Sequence, residues 1–86
     1  LAAERAAKKI RVNAIAPGYV RTELVDGVIQ KGMISLAAIE KRTPMGKIGE
    51  SEDMVGIAVY MASDESAFMT GSVVNVDGGW VAYGYL

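Results

Sequence analysis

Only a few residues of this chain pair a reactive group with a spacing that could do chemistry. Pro17-Gly18 ends an apolar run, and Tyr19, Arg21, Thr22 and Glu23 stand just beyond it. Gly carries no Cβ, so a ligand can approach its backbone closely, while Pro fixes the bend. Thr22 has a short hydroxyl that can serve an amide or a phosphate, or cap a following helix. The chemistry on offer is the seating of a planar polar ligand bonded by main-chain groups. The plainer alternative is a strand-to-helix turn capped by Thr22, and local chemistry favours it, because Pro-Gly is a common turn dipeptide. Asp77-Gly78-Gly79 could hold a metal or a phosphate, but reads better as a turn in which Asp77 binds nearby backbone N–H groups. Glu50, Glu52 and Asp53 are explained by a helix N-terminus, so no metal ligands are assigned.

What the chain lacks is as informative. There is no histidine and no cysteine. The commonest general base, disulfides, a thiolate nucleophile and cysteine-bound zinc are therefore excluded. Nine Lys and Arg balance ten Asp and Glu for a net charge of −1, which gives no grip on a nucleic-acid backbone. The basic pairs around Lys8-Lys9-x-Arg11 and Lys41-Arg42 read as solvated helix ends. No apolar segment is long enough to cross a bilayer, and no signal-peptide pattern appears. Nucleic-acid and membrane partners are not expected, and a cytoplasmic location is.

The elements that must position these residues follow from periodicity. Residues 2 to 9 are strong helix formers, with a stripe at Ala2, Ala3, Ala6, Ala7 and Ile10. Val12 to Ala16 reads as a short buried strand stopped by Pro17-Gly18. Leu24 to Arg42 reads as two short helices about a joint, interrupted by Gly27 and Gly32, and Thr43 to Gly49 as a loop. Ser51 is the expected N-cap of the clearest helix, whose apolar positions are Met54, Ile57, Ala58, Met61 and Ala62. The methionines read as core filling. Val73 to Val76 is a second buried strand after a turn at Thr70-Gly71. Both strands are apolar throughout, the pattern of parallel strands covered on both faces. Two strands make no stable sheet alone, so further strands are expected before Leu1 or from a partner chain. A hydrophobic fraction of 51% in 86 residues also suits a piece of a larger core. The fold class is α/β, and ligands in open α/β sheets bind beyond the carboxyl ends of the strands, where Pro17-Gly18 stands.

At this level "IRVNAIAPGYVRTEL" and "RTPMGKIGESEDMVGIAVYMASDESAFMTGSVVNVDGG" resemble the C-terminal third of classical short-chain dehydrogenases/reductases. The resemblance runs from Leu1 to Gly79, with Val25 to Glu40 and the residues after Trp80 nonspecific. It implies the C-terminal part of a Rossmann-type, doubly wound parallel sheet: its last two strands and flanking helices, within a single domain over residues 1–86. It implies an oxidoreductase interconverting an alcohol and a ketone by hydride transfer, with NAD or NADP as cofactor and a small-molecule alcohol or ketone as substrate. By that match Pro17 and Gly18 border the nicotinamide, Val20 offers its backbone to the carboxamide, and the Thr22 hydroxyl bonds the carboxamide or the pyrophosphate. Residues 23–41 become the substrate lid. Residues 80–86 form an aromatic tail, expected at an interface of a homodimer or homotetramer. The family's Tyr-x-x-x-Lys pair and its Ser are absent: Asp64 follows Tyr60, and Glu23 follows Tyr19, where Lys is required. No residue of this chain is therefore assigned as catalytic. Lys47 and Ser51 stand where the family commonly has Arg and Pro. The alternative is a catalytically inactive fragment acting as a structural or interaction module.

Overall fold

A computed structural model of the chain describes residues 1–83. Helix α1 (Ala2–Ala6) is followed by strands β1 (Ala14–Pro17) and β2 (Val20–Arg21), then helices α2 (Glu23–Gln30) and α3 (Leu36–Arg42). Strand β3 (Gly49–Glu50), helix α4 (Glu52–Ala62) and a 3-10 turn at Asp64–Ser66 come next, then strand β4 (Val73–Val76) and a short helix α5 (Trp80–Tyr83). Among these residues no helix is long and apolar enough to cross a membrane.

Two parallel pairs organise the chain. β1 lies beside β4 with Ala14 opposite Val73 and Pro17 opposite Val76. β2 lies beside β3, with Val20 opposite Gly49 and Arg21 opposite Glu50. The second pair is too short to announce itself as a strand pattern, and it ties the start of α2 to the start of α4. The parallel pairing of β1 and β4, with helices between them in sequence, is the α/β arrangement expected from the apolar runs.

Several expectations need correction. Helix α1 stops at Ala6 and turns, with Lys9 at a φ of 61°, rather than running to residue 9. β1 begins at Ala14 because Arg11, Val12 and Asn13 are engaged with the loop before β4: Thr70 accepts from the Val12 N–H, and Asn13 bonds Met69 and Ser72. The strands are not covered on both faces. Ala14, Val73 and Asn75 are exposed, and the buried apolar side chains are Ile39 and Ile48. Helix α4 likewise half-buries Met54, Ile57 and Met61 while exposing Val55, Val59 and Tyr60. Ser51 is helical and makes no capping bond; the Asp53 carboxylate in the first turn accepts instead from the Glu50 N–H, ahead of the helix, at 2.8 Å.

The other end of α4 is closed by a residue assigned above to a solvated helix end. The Arg11 guanidinium is half-buried and donates to the carbonyls of Met61 at 2.9 Å, Ser63 at 3.2 Å and Met69 at 3.3 Å. Its fork of donors satisfies carbonyls that have no partner within the helix. Ser66, 2% exposed, adds its hydroxyl to the Met61 and Ser63 carbonyls.

Candidate functional site

The carboxyl ends of β1 and β4 meet at Pro17-Gly18 and Asp77. The Gly18 N–H donates to the Val76 carbonyl at 3.2 Å, extending the ladder one residue past Pro17. A Cβ on Gly18 would stand 3.0 Å from Asp77 Cβ, 3.1 Å from its Cα and 3.3 Å from its carbonyl oxygen. The close backbone approach expected of a ligand at this glycine is thus made by the protein itself. The glycine lets the two strand ends converge.

Asp77 then turns the chain away. Its carboxylate accepts from the Gly79 N–H at 2.9 Å and the Val81 N–H at 3.2 Å, as the turn reading expects. Gly78 and Gly79 take φ values of 64° and 95°, open to glycine and strained for other residues. The turn rests on the end of α3: the Met45 N–H donates to the Gly78 carbonyl at 3.0 Å, and Pro44 lies 3.0 Å from the place a Gly79 Cβ would take. Buried Thr43 completes the joint by donating to the Ile39 carbonyl at 2.7 Å.

Between these parts lies an open cleft of about 440 Å³, lined by Pro17, Gly18, Tyr19, Asn75, Asp77 and Trp80 among others. A second hollow of about 240 Å³ shares Tyr19 and Asp77 with this cleft and is also lined by Thr43, Lys47 and Asp53. Tyr19 and Trp80 meet edge to face, with ring centroids 5.5 Å apart and an interplanar angle of 61°. The Arg42 guanidinium carbon stands 3.8 Å from the Trp80 ring centroid. Trp80, expected at an interface between chains, is therefore engaged within its own. The Tyr83 side chain and residues 84–86, the rest of that tail, lie outside the described residues.

Of the four predicted cofactor contacts, Pro17 and Gly18 line the cleft, while Val20 and Thr22 do not. Val20 sits half-buried in β2, pinned by the Gly49 N–H donating to the Tyr19 carbonyl at 2.9 Å. Thr22 is exposed and caps α2, its hydroxyl oxygen accepting from the Val25 N–H at 3.2 Å. A salt bridge from Arg21 Nε to Asp26 Oδ1 at 3.0 Å fixes the same end of α2 to β2. Residues 23–41 form two helices, α2 and α3, joined through Gly32 and capped at Thr22 and Ser35. Sequence reasoning missed Tyr19, Arg42 and Trp80 as one cluster. The available signal was an aromatic residue directly after a strand-ending Asp-Gly-Gly.

The chain is similar in sequence and fold to known proteins. The family described as enoyl-(acyl carrier protein) reductase matches residues 1–81. The chain is 48% identical over 73 residues to an NADP-dependent (R)-specific alcohol dehydrogenase of Lentilactobacillus kefiri, covering 85% of this chain and 28% of that protein. The structure of a putative 2-deoxy-D-gluconate 3-dehydrogenase from Agrobacterium tumefaciens, with bound NADP, superposes with a TM-score of 0.85 at 44% identity. That match covers 94% of this chain and 32% of the other. A short-chain type dehydrogenase/reductase from Mycobacterium ulcerans gives a TM-score of 0.81 at 40% identity, over 94% of this chain and 29% of that one. The chain thus spans about a third of the length of the proteins it matches. With a parallel β1–β4 pair ending in Pro17-Gly18 and the family match running from residue 1 to 81, the chain belongs to the short-chain dehydrogenase/reductase family.

Proposed function

We propose that this chain is the C-terminal, nicotinamide-side part of an NAD(P)-dependent oxidoreductase that interconverts an alcohol and a ketone. The observation that carries the reading is the cleft at the carboxyl ends of β1 and β4, with Pro17-Gly18 along one side and aromatic side chains beside them. Its size and partly apolar lining fit a planar ring with a polar substituent. No glycine-rich phosphate loop stands among these residues, so the fit concerns the ring end of a dinucleotide. When bound, the cofactor supplies or accepts the hydride.

This chain's residues bind and orient. Pro17 and Gly18 border the ring, and Val20 offers its backbone to the carboxamide. Thr22 keeps its oxygen on the Val25 N–H while its own O–H remains to donate to the carboxamide or a phosphate. Helices α2 and α3 cover the substrate and exclude water. The proton that accompanies hydride transfer belongs to a Tyr-x-x-x-Lys pair that these residues do not contain. A cytoplasmic homodimer or homotetramer is part of the same reading.

The test is made on the complete polypeptide that carries this segment. It should oxidise NADH or NADPH with a small ketone, followed by the absorbance of the reduced nicotinamide. Thr22→Val should weaken cofactor binding about tenfold, the loss of one good hydrogen bond, and Thr22→Ser should restore it. The 86-residue chain alone should give no turnover. Turnover by that chain, or a complete polypeptide that binds neither cofactor, overturns the reading. The second reading, a non-catalytic module that pairs with another chain, is favoured by the exposed apolar faces of β4 and α4. It predicts a natural protein of this mass in a stable complex without oxidoreductase activity.

A further inference from the structure

Segment 23–41 is fastened at both ends and jointed in the middle. Its first end is held by the Thr22 cap and the Arg21–Asp26 ion pair. The last residue of α3, Arg42, lays its guanidinium on Trp80, a residue 38 positions away beyond β4. Trp80 in turn meets Tyr19, the residue after Gly18, and lines the same cleft. Three elements distant in sequence therefore converge on one indole: the end of the helical segment, the loop beyond β1 and the turn beyond β4. The indole is held in place by its own turn, because Asp77 binds the backbone N–H groups of Gly79 and Val81 on either side of it.

We propose that Trp80 is a positioning residue that latches the helical segment 23–41 to the loop Pro17–Tyr19, so that the segment opens about its Gly32 joint while its Arg42 end stays fixed. The inference rests on the functional reading above where it concerns substrate, and on geometry alone where it concerns the latch. A cation stacked on an aromatic face is short-ranged and directional, so it holds an orientation. A ligand entering the cleft abuts Trp80 and Tyr19 together. Filling the cleft therefore restrains the indole on which Arg42 rests, and the covering segment with it. Arg42 lies outside the cleft lining, so releasing the latch by Arg42→Gln should raise KM for the ketone more than it alters cofactor affinity or kcat.

The experiment compares Trp80→Leu, Trp80→Phe, Arg42→Gln and Arg42→Lys in the complete polypeptide. Limited trypsin digestion reads the cover directly, through cleavage after exposed Lys31 at the end of α2 relative to cleavage after Lys8 and Lys9 as an internal reference. Trp80→Leu and Arg42→Gln should each speed the Lys31 cut by at least about threefold, and the double variant by no more than either alone. Phe keeps an aromatic face, so Trp80→Phe should stay near the parent, whereas Lys keeps the cation but not the planar stack, so Arg42→Lys should fall between the parent and Arg42→Gln. Saturating NADP should protect Lys31 in the parent and fail to do so in Arg42→Gln, whose residue lies outside the cleft lining and whose cofactor affinity should stay within about twofold. Unchanged Lys31 cleavage in both single variants, or additive effects in the double, overturns the latch. A parent polypeptide that binds no cofactor overturns the functional reading, and the cofactor-free digestion still decides the latch.

Discussion

Gly18 is the residue on which the strand ends turn, and the structure changes the reason for it. Beside the ligand contact expected from sequence, the Asp77 backbone stands against the place its Cβ would take. Gly18→Ala should lower stability by about 1–3 kcal/mol, the usual penalty for forcing a methyl into packed backbone, read as a shift in the urea midpoint of the complete polypeptide. An unchanged midpoint would show that the strand ends can accommodate a methyl and that Asp77 does not require the glycine. The position of Pro17-Gly18 at a strand's carboxyl end was legible from the apolar run and the breaker that follows it. The role of Asp77 was also legible, because Asp before two glycines binds its own turn. What composition could not reveal was long-range pairing. Arg11 looks like part of a basic run, yet its guanidinium reaches the carbonyls at the end of α4. Trp80 looks like the start of an apolar tail, yet its neighbours are Arg42 and Tyr19. A partner 38 or 50 positions away leaves no periodic trace in the chain.

Among the elements, α2 and α3 show how two glycines with the same sequence signature do different work. Both Gly27 and Gly32 read as interruptions of a helical pattern. Gly27 lies inside α2 with open space where its Cβ would stand, while Gly32 has a φ of +75° just beyond the helix. Gly27→Ala should therefore stabilise the segment by about 0.5–1 kcal/mol, since alanine loses less backbone entropy in a helix. Gly32→Ala should destabilise it by about 1 kcal/mol, through the cost of a side chain in the left-handed region. Amide exchange across residues 23–42 measures both, and the two variants should move protection in opposite directions. The cap was readable at Thr22, where the hydroxyl stands directly before the helix, and was not noticed at Ser35. The expectation failed at Ser51, whose backbone is already helical, so its hydroxyl caps nothing and the Asp53 carboxylate instead holds the Glu50 N–H before it. The pairs of residues in β2 and β3 carry too few positions for any alternation to register. Their pairing depends on a β1 loop and an α4 start that meet only in three dimensions.

At the scale of the whole molecule, area is the informative quantity. The chain exposes 6329 Å², whereas a compact protein of 9.1 kDa exposes about 4,900 Å². Its radius of gyration of 15.8 Å likewise exceeds the roughly 12 Å expected of a compact chain of this length. Val55, Val59, Phe68 and Val73 stand more than half exposed, which the expectation of strands covered on both faces did not foresee for this chain by itself. The isolated chain should therefore bind a hydrophobic dye and sediment as associated species at micromolar concentration; a well-behaved monomer that binds no dye would contradict this. The hydrophobic content that pointed to part of a larger core was legible; the faces left open were not, because an apolar residue carries no label for what covers it. The β1–β4 pairing has a further consequence in time. Asn13 and Ser72, bonded at the head of the two strands, lie 59 positions apart. At ribosomal rates of roughly 5–20 residues per second, β4 reaches β1 some 3–12 s after β1 has been made. Throughout that interval the edge of β1 that β4 will occupy stands open to other chains, so the cleft at Pro17–Tyr19 and Asp77 is assembled late, and a chaperone's most useful moment falls while β1 waits for its partner.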